Sequence, residues 1–282
     1  MPLSRVSEIL REAKKEKRCV AAVNCFNFES IKTLINAGEK VETPVIVMLY
    51  PGMTSHIALT TFAAITHDLA GKSSQPVGLH LDHCYNLDFI LEAVNAGIKS
   101  VLYDASKLGY DENAEKTRHV VKKLRELGAD IEAELGHVGS GGNASDFTDT
   151  SKYTDPLEAK KFAEYTGIDS LAIAVGNAHG HYKVEPRLDI DCLKAINAQV
   201  DIPLVLHGGS GIPDEQIKQA IENGVAKTNF GTDYLRLFYE SQAEYAKSDA
   251  DRKNIFGLLK AGETGGMSYA ESKIAVLKGD LL

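Results

Sequence analysis

Eight short runs rich in β-forming apolar residues recur along the chain, and amphipathic stretches separate them. The runs cover residues 19–24, 44–49, 76–81, 100–104, 130–135, 170–175, 203–207 and 226–230. Several are apolar at nearly every position, which is typical of parallel strands covered on both faces. The intervening stretches, such as 86–97 and 113–128, carry apolar residues at helical spacing and end on glycine.

This alternation constrains the fold. Eight strands alternating with helices, in a chain of 282 residues, predict an α/β protein that forms a (β/α)₈ TIM barrel in a single domain over residues 1–282. An open doubly wound sheet is the alternative. A helical tail is expected from about Ser248. Segment 137–152 is polar and long for a connection, so we expect a mobile loop there.

The charge balance and the cysteines limit the possible partners and compartment. The 31 basic and 39 acidic side chains give a net charge of −8, which argues against nucleic-acid or anionic-membrane binding. The four cysteines form no C-x-x-C pair, and no segment resembles a secretory signal. No apolar stretch approaches the roughly 20 residues of a membrane span. We therefore expect a cytoplasmic protein.

Histidines follow three of the predicted strands. In a TIM barrel the active site lies where strands end and the following loops begin. His83, His179 and His207 follow the third, sixth and seventh strands. Three imidazoles with an open fourth position are a ligand set of catalytic zinc. A single histidine at a strand end is more often a hydrogen-bonding residue, but three at one rim favour a metal site.

Acidic side chains are expected at the same rim. Asp82 precedes a candidate ligand, so it can act as a general acid or base, or it can orient that ligand. Asp104 and Glu134 can ligate a second or alternate metal position. They can also be hydrogen-bonded acids that line the barrel.

Glycine-rich turns follow the last two strands. HGGSG (207–211) follows the seventh strand, and NFGT (229–232) precedes a helix. Backbone N–H groups in such turns bind anions, and the loops after strands 7 and 8 of these barrels often hold a phosphate. The pattern predicts a phosphate site, with a tight turn as the alternative, and Gly180 can supply a further N–H.

Five segments together resemble a known family. HLDHC (80–84), IEAELG (131–136), AHG (178–180), HGGSG and KTNFGTD (227–233) are similar to the class II, zinc-dependent ketose-bisphosphate aldolases, most closely the tagatose- and fructose-bisphosphate aldolase branch. The resemblance runs from about Ser4 to about Tyr245. It implies reversible cleavage of a phosphorylated ketose to dihydroxyacetone phosphate and an aldehyde, in a homodimer or homotetramer.

The resemblance also implies residue roles. His83, His179 and His207 would hold one Zn²⁺ that stabilises the enediolate, with a monovalent cation possible nearby. Asp82 would act as the acid/base, and Asp104 and Glu134 match an alternate metal position. The residues that would hold the dihydroxyacetone phosphate half are Asn24, Gly180, Gly208, Gly209, Ser210, Asn229, Phe230, Gly231 and Thr232.

One segment departs from the family pattern. Gly141 and Gly142 stand where one or two glutamates would move the proton at C3 of the triose, and Asp146 or Asp149 could replace them. The missing acids motivate one alternative function, a non-catalytic aldolase-like partner subunit, although the retained Asp82 and histidines oppose it. The other alternative is a zinc-dependent TIM-barrel hydrolase. The first strand lacks the H-x-H pair that such sites often use.

Overall fold

A closed barrel of eight parallel strands forms the centre of the molecule in a computed structural model that describes residues 3–247 and 254–279. Each strand pairs with the next, and the eighth pairs with the first. The TIM-barrel prediction is therefore confirmed, and all eight predicted strands are present. They are β1 (Val20–Asn24), β2 (Val45–Leu49), β3 (Val77–Cys84), β4 (Ser100–Tyr103), β5 (Asp130–Leu135), β6 (Ser170–Ile173), β7 (Leu204–Leu206) and β8 (Val225–Phe230).

Helices cover the outside of the barrel and bury their apolar faces against it. None of those within the described ranges is both long and apolar enough to cross a bilayer. They are α1 (Val6–Lys15), α2 (Phe28–Val41), α3 (Leu59–Lys72), α4 (Leu87–Asn95), α5 (Tyr110–Arg125), α6 (Ser145–Thr148), α7 (Pro156–Thr166), α8 (Ile190–Asn197), α9 (Asp214–Glu222), α10 (Thr232–Lys247) and α11 (Ile255–Lys278).

Helix α1 closes the amino end of the barrel. Its apolar face packs against inward-facing strand residues, including Ile46 and Met48. Arg5 pairs with Asp130 at the start of β5, and the Lys14 ammonium donates to three carbonyls of residues 200–202, just before β7. Because this end is plugged, the opposite rim, at the carboxyl ends of the strands, is the open end of the barrel.

The barrel interior is unusually polar near its open end. Alternate residues of a strand point to the same face, and Glu132 and Glu134 of β5 both point inward, as do His80 and Asp82 of β3. Lys227 of β8 reaches Glu132 across the interior. These side chains are all buried. Polar and charged groups therefore occupy interior positions that apolar residues would usually fill.

Two sequence expectations concern segments outside the barrel strands. Segment 137–152, expected to be a mobile loop, contains α6 and a 3₁₀ turn at Thr150–Lys152, and Ser140 forms a β-bridge with His179. The expected tail begins at Ser248, which lies outside the described residues. The last helix, α11, packs against α2 and α10 and buries Ala270 and Ile274.

Candidate metal centre and active site

Three imidazole rings meet at the open rim of the barrel. The Nε2 atom of His83 lies 3.1 Å from Nε2 of His179 and 2.9 Å from Nδ1 of His207. The remaining pair, His179 Nε2 and His207 Nδ1, is 3.4 Å apart. The structure thus brings together the three histidines singled out in the sequence, with one nitrogen of each facing a common point.

This cluster fits a divalent ion. Zinc binds histidine nitrogen at about 2.0–2.1 Å in a tetrahedral arrangement, which separates any two ligand nitrogens by about 3.3 Å. The observed separations of 2.9–3.4 Å bracket that value. Three imidazole ligands leave the fourth position open for a substrate oxygen, as in catalytic zinc sites.

A backbone irregularity explains how two consecutive residues reach one site. Neighbouring residues of a regular strand point to opposite faces. The register between β3 and β4 shifts between Leu81 and Cys84, and His83 has a φ of +33°. The bulge turns His83 inward beside Asp82, with His83 Nε2 3.9 Å from Asp82 Oδ1. Both residues lie within β3, not in the loop expected after residue 81.

Asp104 orients His83. Its Oδ2 lies 2.8 Å from His83 Nδ1, and its Oδ1 accepts hydrogen bonds from the backbone and hydroxyl of Ser106. Burial opposes a positive charge on His83, but the nearby carboxylates of Asp82 and Asp104 outweigh it and raise the pKa of His83 to about 9. The carboxylates beside His83 therefore favour a positive charge at this side of the cluster.

Asp82 is a buried carboxylate beside the cluster. It is 6% exposed. The side-chain amide of Asn24 donates to its Oδ2 (2.9 Å), and that of Asn229 donates to its Oδ1 (3.3 Å). Burial alone would raise the pKa of Asp82, but neighbouring His83, His207 and Lys227 and the Asn24 hydrogen bond hold it below its ordinary value. Asp82 is thus a carboxylate that is held in a fixed orientation and favours its ionised form.

Glu134 lies at the same rim, and one of its carboxylate oxygens has no hydrogen-bond donor among the described residues. Its Oε2 is 3.6 Å from His207 Nδ1, and that buried oxygen accepts no hydrogen bond from the described residues. Burial raises the pKa of Glu134 to about 8. A buried acceptor without a donor, close to a candidate ligand, fits the predicted alternate metal position, for which Asp104 and Glu134 remain predictions.

The second ring nitrogen of His207 faces the barrel interior. Its Nε2 lies 2.9 Å from Glu132 Oε1, and both Glu132 oxygens accept hydrogen bonds from the Lys227 ammonium. Neither Glu132 nor Lys227 was assigned a role from the sequence. The detectable signal was a lysine within a strand that is otherwise buried.

Two further residues, neither of which was assigned a role from the sequence, hold together the loops that carry the ligands. The Asn177 amide donates to the His207 carbonyl (3.1 Å) and to the Ile173 carbonyl (3.2 Å). The Tyr182 hydroxyl accepts from the Ala178 N–H (2.7 Å) and donates to the Gly208 carbonyl (3.0 Å). These bonds hold the segments after β6 and β7 side by side.

The turn after β7 needs glycine for close packing. Gly208 has a φ of +66°, and a Cβ built there would lie 1.9 Å from the Ala178 carbonyl oxygen. The Gly209 N–H donates to the Asn229 carbonyl (2.9 Å), so Gly209 connects two loops in this structure instead of offering an anion a free donor. The Ser210 hydroxyl accepts from the Asp233 N–H (3.4 Å).

The residues of the turn after β8 contact three different parts of the structure: Asp82, the core and the cavity. Asn229 contacts Asp82, as described above, while the Phe230 ring is buried and packs against Tyr269. The Phe230 side chain therefore packs in the core beneath the turn and is not available to contact a ligand. Gly231 and Thr232 line the cavity above the histidines, next to the first turn of α10.

The cavity above the metal cluster has a volume of about 980 Å³. Asn24, Asp82, His83 and His179 lie in its wall. Its outer part is lined by apolar and aromatic side chains: Tyr50, Met53, Tyr85, Leu108, Val138 and Leu235. A small polar substrate could therefore bind with its reacting end at the metal cluster.

Segment 137–152 places the two candidate loop acids differently. Asp146 lines the cavity and pairs with Lys152 (3.0 Å). Asp149 instead caps the 3₁₀ turn, accepting from the N–H and hydroxyl of Ser151. Of the two acids proposed as replacements for the missing glutamates, only Asp146 is among the residues that line the site.

A TIM barrel with a histidine cluster that fits a metal ion and an oriented carboxylate at its open rim has the arrangement of an enzyme active site. Residues 4–280 match the family model of class-II fructose-bisphosphate aldolase. The chain therefore belongs to the class II fructose-bisphosphate aldolase family and is an aldolase, a carbon–carbon lyase.

Solved structures similar to this chain include three aldolases. The YdjI aldolase from Escherichia coli K12 is 32% identical over 99% of this chain and 98% of its own, with a TM-score of 0.88. A putative fructose-1,6-biphosphate aldolase from Coccidioides immitis is 28% identical over 97% and 96%, with a TM-score of 0.85. The fructose-bisphosphate aldolase of Campylobacter jejuni is 26% identical over 98% and 95%, with a TM-score of 0.84.

Proposed function

We propose that this aldolase reversibly cleaves a phosphorylated ketose, of the fructose- or tagatose-1,6-bisphosphate type, to dihydroxyacetone phosphate and an aldehyde. The observation that carries the proposal is the convergence of three ring nitrogens, 2.9–3.4 Å apart, beside the Asp82 carboxylate. His83, His179 and His207 would hold a zinc ion, which when bound acts as a Lewis acid towards the substrate carbonyl and so stabilises the developing negative charge.

Asp82 is the proposed acid/base. In cleavage its carboxylate accepts the proton of the hydroxyl on the aldehyde side of the breaking bond, and in condensation it returns that proton. The Asn24 and Asn229 amides each hold one carboxylate oxygen, so the base is oriented before the substrate arrives. Such positioning is what makes general acid–base catalysis efficient.

The loops after β6, β7 and β8 are the proposed holders of the phosphorylated half. Gly180, Gly208 and Ser210 lie in the first two loops, and Gly231 and Thr232 lead into α10. The first N–H groups of a helix have no carbonyl partner in a preceding helical turn, and the helix dipole stabilises anions at that end. A phosphate anchored there would fix the reacting bond over the histidines and lower the entropic cost of reaction.

Family membership favours this function over the two alternatives, because both a hydrolase and a non-catalytic partner would depart from a family of lyases.

We also propose association into a homodimer or homotetramer. Three exposed apolar side chains on the last two helices support association: Tyr239 on α10, and Ile255 and Phe256 on α11.

The test is a panel of phosphorylated ketoses assayed for triose phosphate by coupled reduction. We expect the purified protein to release dihydroxyacetone phosphate, to lose this activity after dialysis against a chelator, and to regain it with zinc. Magnesium is the control ion, since it prefers oxygen ligands. Full activity of metal-free protein, or release of inorganic phosphate as the product, would contradict the proposal.

A further inference from the structure

A buried ionic chain runs beneath the metal cluster. The Lys227 Nζ of β8 lies 2.9 and 3.1 Å from the two carboxylate oxygens of Glu132, on β5. Glu132 Oε1 in turn lies 2.9 Å from Nε2 of His207. None of these three side chains is more than 1% exposed. The chain therefore crosses the barrel interior and ends on a candidate metal ligand.

His207 differs from the other two histidines in the nitrogen it turns to the cluster. His83 and His179 use Nε2, whereas His207 uses Nδ1. A neutral imidazole that offers one nitrogen to a metal carries its proton on the other. Because an ionised carboxylate only accepts hydrogen bonds, Glu132 selects the form of His207 that is protonated at Nε2 and has a free lone pair at Nδ1.

The Glu132 carboxylate itself needs a partner. A buried charge is costly unless it is paired and hydrogen-bonded. Lys227 contacts both oxygens, and the Ser170 hydroxyl lies 3.4 Å from Oε2. Two bonds from one fixed ammonium hold the plane of the carboxylate, and Oε1 remains directed at His207.

We propose that Lys227 is a positioning residue of the metal site, which acts through Glu132 to direct the Nδ1 lone pair of His207 at the ion. The proposal rests on the metal site of the proposed function. It also gives Lys227 a role other than that of a Schiff-base nucleophile, since its ammonium is buried in an ion pair and lies below the rim.

The test measures zinc affinity by competition with a chromophoric chelator, so that it does not depend on turnover. Lys227→Met should weaken zinc binding by about 10- to 100-fold, as expected for loss of an outer-sphere partner. Lys273→Met is the matched control, because it removes a lysine paired with Asp214 on the outside of the barrel, and it should leave zinc affinity unchanged. A folded Lys227→Met protein with the affinity of the natural chain would overturn the proposal.

A double variant tests whether Lys227 acts through Glu132. Glu132→Gln removes the charge that Lys227 balances, so the combined variant should bind zinc no more weakly than the weaker of the two single variants. Additive losses would show that Lys227 acts by another route and would contradict the proposal.

A measurement on the unsubstituted protein covers the case in which the variants fail to fold. In NMR of zinc-loaded protein with isotope-labelled histidine, His207 should be metal-bound at Nδ1 and protonated at Nε2, with a slowly exchanging proton. A proton on Nδ1 would refute the proposed positioning. If the natural chain binds no zinc at all, it is the proposed function that fails.

Discussion

At the scale of single residues, the site depends on groups that are fixed before any ligand binds. Asp82 is held by two amides, His83 by Asp104 and His207 by Glu132. The contacts of the two histidines leave one ring nitrogen of each directed at the common point of the rim. Pre-oriented groups of this kind stabilise a transition state without reorganising during the reaction.

The acid/base role of Asp82 gives the first residue-scale prediction. Asp82→Ala should lower turnover by roughly 10²- to 10⁴-fold, the usual contribution of a positioned acid/base group, while the fold and the zinc content are preserved. The coupled triose phosphate assay and metal analysis measure the two quantities. Asp88→Ala, which removes an exposed carboxylate at the start of α4, is the control. Normal turnover of Asp82→Ala would show that another group moves this proton.

The three histidines could be predicted because each ends an apolar run or lies within four residues after one, where a barrel places its active-site residues. The roles of Lys227 and Glu132 could not, since pattern reasoning assigns the interior of a buried strand to packing. The inward turn of His83 was also hidden, because a bulge depends on the register with β4, which the local sequence does not display.

At the scale of elements, segment 137–152 is held in place by the ligand loop. The His179 N–H donates to the Gly139 carbonyl (2.9 Å), and the Gly141 N–H donates to the His179 carbonyl (2.8 Å). Composition correctly marks this segment as polar and unusually long. Its backbone pairing with a residue about 40 positions later is a tertiary effect that overrides the local tendency to form a loop.

The placement of Asp146 gives a prediction for this segment. If Asp146 replaces the missing loop glutamates, Asp146→Asn should slow exchange of the C3 proton of dihydroxyacetone phosphate with deuterated water by roughly a hundredfold. Asp149→Asn is the matched control, because Asp149 caps the neighbouring turn, and it should exchange at the normal rate. NMR of the recovered triose phosphate measures both. Normal exchange in both variants would assign this step to a different base.

At the scale of the whole molecule, the metal should stabilise the barrel, since its ligands come from three separate parts of the chain. Zinc at about 100 times its Kd stabilises the folded state by about 2.7 kcal/mol. For a chain of 282 residues, with an unfolding entropy of about 2.1 cal/mol/K per residue, that corresponds to a rise in Tm of roughly 4–5 °C. Calorimetry of chelator-treated protein, with and without zinc, measures the shift. An unchanged Tm under saturating zinc would contradict a shared site.

The overall architecture was the most predictable feature. A chain with eight apolar runs separated by helical stretches has few ways to bury both faces of every strand. The closed barrel buries both faces of all eight strands. The plug at the amino end was not predicted. The sequence of α1 is typical of an amphipathic surface helix. Only its contacts with Asp130 and with the residues before β7 show that it lies across the end of the barrel.

The contact between the two ends of the fold has a consequence for biosynthesis. The N–H of Cys19, just before β1, donates to the carbonyl of Leu277 at the end of α11 (3.1 Å), and β1 also pairs with β8. On the ribosome, the earliest strand must wait for almost the entire polypeptide before it gains one of its two neighbours. During translation its unpaired edge is exposed to aggregation, and we expect chaperones to bind it.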